Sequence, residues 1–285
     1  MRIGSDEIDL AQKDGNPPMT LAAGSAPGES GVSVTSVRFQ GHMHVSATAR
    51  QHFVWFMSRP LRIDCRIGGQ TLRHDAPAGS LAICPACADW MAAAEESADA
   101  LMASVDPGWL ALAAAEESAL DAQITERLSG YDGTLLELAG ALVAESSDSY
   151  PNGPLFWNDV ASSFLDSLIA RHTRESKPRG ALDKAVLDRL RDYVMEHLDE
   201  SIEVASLADI AARSPFHFTR VFTRSVGLTP HRYVVHLRLN RAVELVREGR
   251  SSLAEIAACT GFADQSHLSR WVRRVKGVSL TQLAA

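Results

Sequence analysis

Two strings fifty positions apart, His217-Phe218-Thr219-Arg220 and His267-Leu268-Ser269-Arg270, each set a histidine three residues before an arginine. Residues three and four apart share one face of a helix. On that spacing Phe216, Thr219, Arg220 and Thr223 fall together, opposite an apolar face of Phe218, Val221 and Phe222. In the second string Gln265, Ser266, His267, Ser269, Arg270 and Arg273 point out while Leu268, Trp271 and Val272 turn inward. Surfaces of Arg, His, Gln, Ser and Thr match the donor–acceptor pattern of base edges in a DNA major groove. Arg224, Arg273, Arg274 and Lys276 are placed for phosphate oxygens. The chemistry on offer is recognition, without bond-making.

Other constellations lead to less. Cys84-Pro85-Ala86-Cys87 is a single CxxC, with neither the two further ligands of a zinc site nor the βαβ context of a redox site. We read it as small buried side chains, and Cys259 as core. The paired histidines of Gly41-His42-Met43-His44 have no acid and third histidine at metal-ligand spacing. Glu95-Glu96 and Glu116-Glu117 read as solvated helix faces. Nucleophile elbow, phosphate loop and zinc-protease motifs do not occur. We therefore expect no catalytic residue, no metal, no cofactor and no enzymatic activity.

The charge distribution agrees with recognition. The 285 residues carry a formal −7, yet residues 205–285 hold twelve Arg/Lys against five Asp/Glu, a net +7 that leaves −14 for residues 1–204. Eleven of the twelve cations are Arg, whose planar fork suits phosphate and guanine edges. Such asymmetry marks a polyanion-binding module joined to something else. The first residues are polar and acidic, unlike a secretory signal. The longest apolar stretch, Leu81 to Ala94, is broken by Asp89 and falls short of a membrane span. Four cysteines do not make a disulfide framework. A cytoplasmic protein without membrane contact is expected.

The elements that must hold these residues follow from periodicity. Residues 1–30, rich in Gly, Ala, Pro and Ser, read as a flexible segment. Val32–Thr35, Phe53–Phe56, Leu61–Ile67 and Gly79–Pro85 read as short strands, the third alternating apolar and polar up to Gly68-Gly69. Beyond Asp106-Pro107 the pattern turns helical, around Leu135–Leu142 and Trp157–Ile169. Residues 31–171 are thus a β-rich sensing or dimerising domain with helices, and 172–180 a polar linker. The string AAAEESA, found at 92–98 and 113–119, is an alanine-rich coincidence.

Residues 181–285 contain a repeat. Ser206-Leu207-Ala208-Asp209-Ile210-Ala211-Ala212 returns 46 residues later as Ser252-Leu253-Ala254-Glu255-Ile256-Ala257-Ala258, and the match resumes at an offset of 50 around His217 and His267. The change of offset implies four extra residues near Thr260–Ala263. Ser206 and Ser252 read as N-caps with an acid three residues on. Ser214-Pro215 opens the next helix. A long helix from about His231 to Glu248, stopped at Gly249, joins the copies. Each copy is helix, tight turn, helix.

Residues from about 186 to 280 resemble the DNA-binding domain of the AraC/XylS family of bacterial transcription regulators. The resemblance is carried by Leu207–Ala211, Phe222 with Gly227, Arg238-Leu239 with Ala242 and Leu245, Ile256-Ala257, and above all Gly261–Arg270. It implies seven helices, two of them recognition helices, with base contacts from Phe216, Thr219 and Arg220 in the first unit and Gln265, Ser266, His267 and Arg270 in the second. The chain departs from the family at Leu268 and Val272, less bulky than usual. Ser279-Leu280 stands where Thr-Pro is expected, and the closing turn is cut short. By texture and position the amino-terminal part resembles the cupin-like sensor domains of such regulators. The expected fold is α+β in two domains: a small β-barrel with flanking helices, then an all-α double helix-turn-helix domain. The partners it implies are double-stranded DNA, RNA polymerase, a small-molecule effector and a second copy of the chain. The alternatives are a DNA-acting enzyme resembling a repair methyltransferase, or a ligand-binding protein whose basic domain contacts protein.

Overall fold

Strands and helices segregate along the chain much as the periodicity demands. The structure, a computed structural model, describes residues 2–3, 6–7, 9–12, 17–25, 31–116, 122–147, 150–175, 182–276 and 278–283. They form two units: Met1–Ala26, Ser30–Leu110 and Ile124–Arg174 in the first, Pro27–Glu29, Ala111–Gln123 and Glu175–Ala285 in the second.

In chain order the first elements are β1 (Arg2–Ile3), β2 (Asp6–Glu7), β3 (Asp9–Gln12), β4 (Met19–Ser25), β5 (Val32–Phe39) and β6 (Met43–Thr48). There follow β7 (His52–Met57), β8 (Leu61–Ile67), β9 (Gln70–Ala76), β10 (Ser80–Cys84), β11 (Asp89–Ala94) and β12 (Ala98–Val105). Next come α1 (Pro107–Glu116), β13 (Ala122–Ile124), β14 (Arg127–Tyr131), α2 (Gly133–Ser147), α3 (Gly153–His172) and β15 (Thr173–Glu175). Of the segment 1–30, then, the described residues include four strands. β3 pairs with β6 and β4 with β5, at the sheet edges. Asp9–Gln12 and Met19–Ser25 lack the alternation of a half-buried strand; open backbone groups on a neighbouring edge recruit them instead. The rest of that segment lies outside the described residues.

The first unit is built on two antiparallel sheets, ordered β14-β10-β7-β12-β5-β4 and β3-β6-β11-β8-β9. The strands are divided between two sheets; no single closed barrel is formed among the described residues. The β8–β9 hairpin shows how sequence specifies register. Ile67 pairs with Gln70 across Gly68-Gly69, whose φ values of 52° and 91° are those of a two-residue turn open to glycine. Leu61, Ile63, Cys65 and Ile67 consequently all face the core and Arg62 and Arg66 face out. Phe39, Phe53, Trp55, Trp90 and Met102 fill the space between the sheets, with Trp55 edge-on to Trp90 at 5.4 Å.

Several local expectations are corrected. Ala92–Ala94 belongs to β11 and Glu95-Glu96 to the turn before β12, where Glu96 accepts the Arg62 N–H. It is not a helix face. Ala98–Val105, too rich in alanine to read as a strand, is a central one between β7 and β5, where small side chains suit burial on both faces. In the CxxC, Cys84 is buried as expected but Cys87 is exposed, and so is Cys259. Cys259 ends a two-turn helix whose buried face is carried by Ile256 and Ala257.

Asp132 organises the helical side of this unit. Its carboxylate accepts from the Leu135 N–H at the start of α2, from Arg171 at 3.0 Å and pairs with His172 Nε2 at 2.9 Å. α3 thus runs through His172, the residue at which the linker was expected to start, and residues 173–175 are strand; 176–180 lie outside the described residues. Burial raises the Asp132 pKa, but the His172 and Leu135 hydrogen bonds and the Arg171 charge outweigh it and hold the carboxyl below its ordinary value. A depressed pKa contributes stability above the unfolded value of about 3.9, and that contribution is lost as pH falls through the folded value. Asp132→Asn should therefore cost about 1–3 kcal/mol at pH 7. Chemical denaturation across a pH series should show this cost shrinking below about pH 4. A cost independent of pH would contradict the ion-pair account.

Candidate nucleic-acid interface

The second unit continues with α4 (Lys184–Glu196), α5 (Val204–Ile210), α6 (Pro215–Val226), α7 (Pro230–Glu248), α8 (Leu253–Cys259), α9 (Gln265–Lys276) and α10 (Leu280–Leu283). α5–α6 and α8–α9 are the two helix-turn-helix copies, with α7 between them. Ser214 caps α6 by accepting the His217 N–H, and Pro215 occupies its first turn. Phe218 and Phe222, tilted at 5.3 Å between ring centroids, and Tyr233, edge-on to Phe222 at 5.4 Å, then pack the underside of α6 onto α7.

The repeat is real, but its register differs from that of the matching heptapeptides. Ser252 is the N-cap of α8 and forms a reciprocal capping box with Glu255. α5, however, begins three residues before the corresponding match: Glu203 is its N-cap and Ser206 lies in its first turn. Leu207 and Ala208 fill the buried places that Ile256 and Ala257 fill in α8, an offset of 49. Only one extra residue is then needed in the second turn, before Asp264. Burial decides the register here, and it overrides sequence identity.

On α6 the expected readers lie on one open face. Phe216 is 82% exposed, Arg220 and Arg224 are exposed, and Thr219 and Thr223 are half-buried between them. The hydroxyls of Thr219 and Thr223 donate to the carbonyls of Pro215 and Thr219 on their own helix. Their methyl groups and oxygen lone pairs remain for a ligand. A shallow groove of about 720 Å³ runs along this face, lined by Val204, Pro215, Phe216, Thr219, Arg220, Thr223 and Arg224. Val204 was not singled out from sequence, because the helix that carries it was expected to start later.

On α9, Asp264 accepts the His267 N–H and caps the helix. Gln265, Ser266 and Arg270 are exposed, as are Arg273 and Arg274; Lys276 is half-buried. His267 is placed differently from the other expected readers. Its ring lies edge-on to Phe262 at 5.6 Å, and its Nε2 accepts the Trp271 indole N–H at 3.1 Å. Trp271, expected inward, is half-buried, with the Arg274 guanidinium 5.5 Å above its ring. The i, i+4 spacing of His267 and Trp271 was the available signal for this pairing. Leu268, Val272 and Val275 form the buried side of the helix. The closing turn is present: α10 is capped by Ser279 and Gln282 and buries Leu280 and Leu283.

Two basic, open-faced helices, each packed on its own short partner helix, define a double helix-turn-helix domain of the kind the AraC/XylS resemblance implies. Residues 207–285 match the family model described as a helix-turn-helix domain. A probable transcriptional regulator, LumQ, of Photobacterium leiognathi is 33% identical over 123 residues, 42% of this chain and 48% of that protein. The transcriptional activator RhaS of Escherichia fergusonii is 37% identical over 116 residues, 41% of this chain and 42% of its own. A bifunctional transcriptional activator and DNA repair enzyme, AdaA, of Bacillus subtilis is 27% identical over 118 residues, 41% and 54% of the two chains. The matched segment thus spans about half or less of these relatives. Among solved structures, ToxT of Vibrio cholerae aligns over 89% of this chain and 98% of its own at 11% identity and a TM-score of 0.36, a likeness too slight to carry an argument.

Proposed function

We propose that the chain is a sequence-specific DNA-binding transcription regulator, whose second unit reads two adjacent major-groove segments through α6 and α9. The observation that supports this most directly is the open face of α6, where Phe216, Arg220 and Arg224 stand exposed around two half-buried threonines, with no element among the described residues over the groove they line. Arg220 and Arg270 are the guanine-reading side chains; Phe216, Thr219, Gln265, Ser266 and His267 complete the base contacts. Arg224, Arg273, Arg274 and Lys276 hold phosphates. The first unit, acidic and double-sheeted, is the sensing or dimerising part, through which a small-molecule effector or a second copy of the chain modulates binding. RNA polymerase contact and a cytoplasmic location belong to the same reading.

The AdaA likeness raises the alternative of a DNA-repair enzyme; one that works through a cysteine nucleophile requires a reactive thiolate. Burial pushes the Cys65 thiol up to about 11 and Cys84 higher still, which disfavours both as nucleophiles and leaves the exposed Cys87 and Cys259 as the thiols such an enzyme would have to use. The test is selection of the full chain on a pool of short duplexes with a randomised centre. Retained duplexes should converge on one sequence pattern with two conserved blocks. Binding without enrichment of any pattern would contradict the proposal.

A further inference from the structure

We propose that Arg238 is the positioning residue that fixes the two recognition helices at one separation, and so sets the spacing between DNA segments that this chain accepts. The inference rests on the two-segment reading above. Arg238 projects from α7. Its Nη1 donates to the Gly261 carbonyl at 3.1 Å, in the turn of the second helix-turn-helix copy. Its Nη2 donates to the Glu200 carbonyl, in the segment that leads from α4 into the first copy. One half-buried guanidinium therefore bonds the turn of the second copy and the main chain three residues ahead of the N-cap of the first. Because both acceptors are carbonyls, the contact fixes backbone position and not merely a side-chain rotamer. The planar fork makes the joint stiffer than a single rotatable ammonium would.

Gly261 shows how closely this joint is fitted. A Cβ there would lie 2.1 Å from the Leu198 carbonyl oxygen and 2.6 Å from Arg238 Cζ. The left-handed conformation of the turn does not by itself demand glycine, since Ala212 adopts φ 50° at the equivalent place in the first copy. Glycine at 261 answers the close approach to Leu198 and Arg238. The half-buried charge, with Asp199 near it, hydrogen-bonds two neutral carbonyls, whose positions an apolar side chain filling the same space would not fix. Specified geometry is what the charge supplies.

A stiff joint has a measurable consequence. One base pair inserted between the two recognised segments moves the second by about 3.4 Å and roughly 35°. A rigid domain then loses the contacts of one helix. A domain with a loosened joint binds more weakly at every spacing but follows the shifted segment. General destabilisation lowers affinity at all spacings alike, so the ratio between spacings isolates positioning from mere stability.

The test uses the full chain and the duplex it selects from the randomised pool, with one base pair inserted or deleted between the two conserved blocks. The wild type should lose about tenfold or more on either change. Arg238→Met should bind the parent duplex more weakly yet lose less than about threefold on the change. Gly261→Ala, which loads the same joint from the other side, should flatten the spacing dependence in the same way. Wild-type steepness in both variants, at retained helical content, overturns the proposal and leaves the DNA reading intact. Should Arg238→Met not fold, Arg238→Lys keeps the charge without the fork: a flattened ratio supports the proposal and a steep one overturns it. A wild type that selects no sequence overturns the DNA reading and this inference with it.

Discussion

Arg220→Ala and Arg270→Ala should each weaken binding to the selected duplex by about 1–3 kcal/mol, and relax base preference at different positions about one helical turn apart. α7 has 19 residues and is roughly 28 Å long at 1.5 Å per residue. With packed helices at its two ends, it suits recognition helices placed near the ~34 Å between successive major grooves. Straight DNA does not fit a rigid rod perfectly, so the duplex bends or one helix engages more weakly. The weaker side should be α9, because His267 must give up its hydrogen bond with Trp271 and its contact with Phe262 to reach a base. Arg220→Ala should thus cost more than Arg270→Ala. Both variants are to be measured on a library of randomised sites. Relaxation at the same base pairs in both would contradict the two-groove arrangement.

Binding should also fall steeply with salt. The net +7 on residues 205–285 includes Arg224, Arg273, Arg274 and Lys276 on or near the two open helix faces. If about six phosphates are neutralised, log affinity falls with log salt at a slope near −5, about a thousandfold between 50 and 200 mM. Fluorescence anisotropy across that range reads the slope directly. A slope shallower than −2 would contradict a surface that tracks a duplex. Arg224→Ala should reduce the slope by about one without changing which sequence is preferred, since a phosphate contact carries no base information.

The double helix-turn-helix was legible because caps, turn residues and apolar spacing agree there at every level. Ser214-Pro215 and Ser252 with Glu255 start helices where they were expected to, and the long helix starts at Pro230, one residue before the expected His231. The register of the first copy was misjudged because Ser206 and Ser252 sit in identical heptapeptides, whereas the fold aligns buried Leu207 with buried Ile256. No local pattern distinguishes those two matches; packing against the following helix does. In the first unit, β7, β8 and β10 carried β-branched, aromatic or alternating residues and could be read. β3, β4 and β12 could not, because edge pairing and two-sided burial by neighbours, rather than their own side chains, make them strands. The Arg238 joint was likewise beyond reach. Arg238 could be noticed from sequence, but its two carbonyl acceptors lie 38 residues before it and 23 after it.

Hydroxyl-radical footprinting of the full chain on its selected duplex addresses the central claim most directly. Two helices held by one rod on one face of the duplex predict two protected blocks centred about one helical turn apart, the second offset so that both face the protein. Arg220→Ala should clear one block and Arg270→Ala the other. A single protected block, cleared by either substitution, would contradict the account.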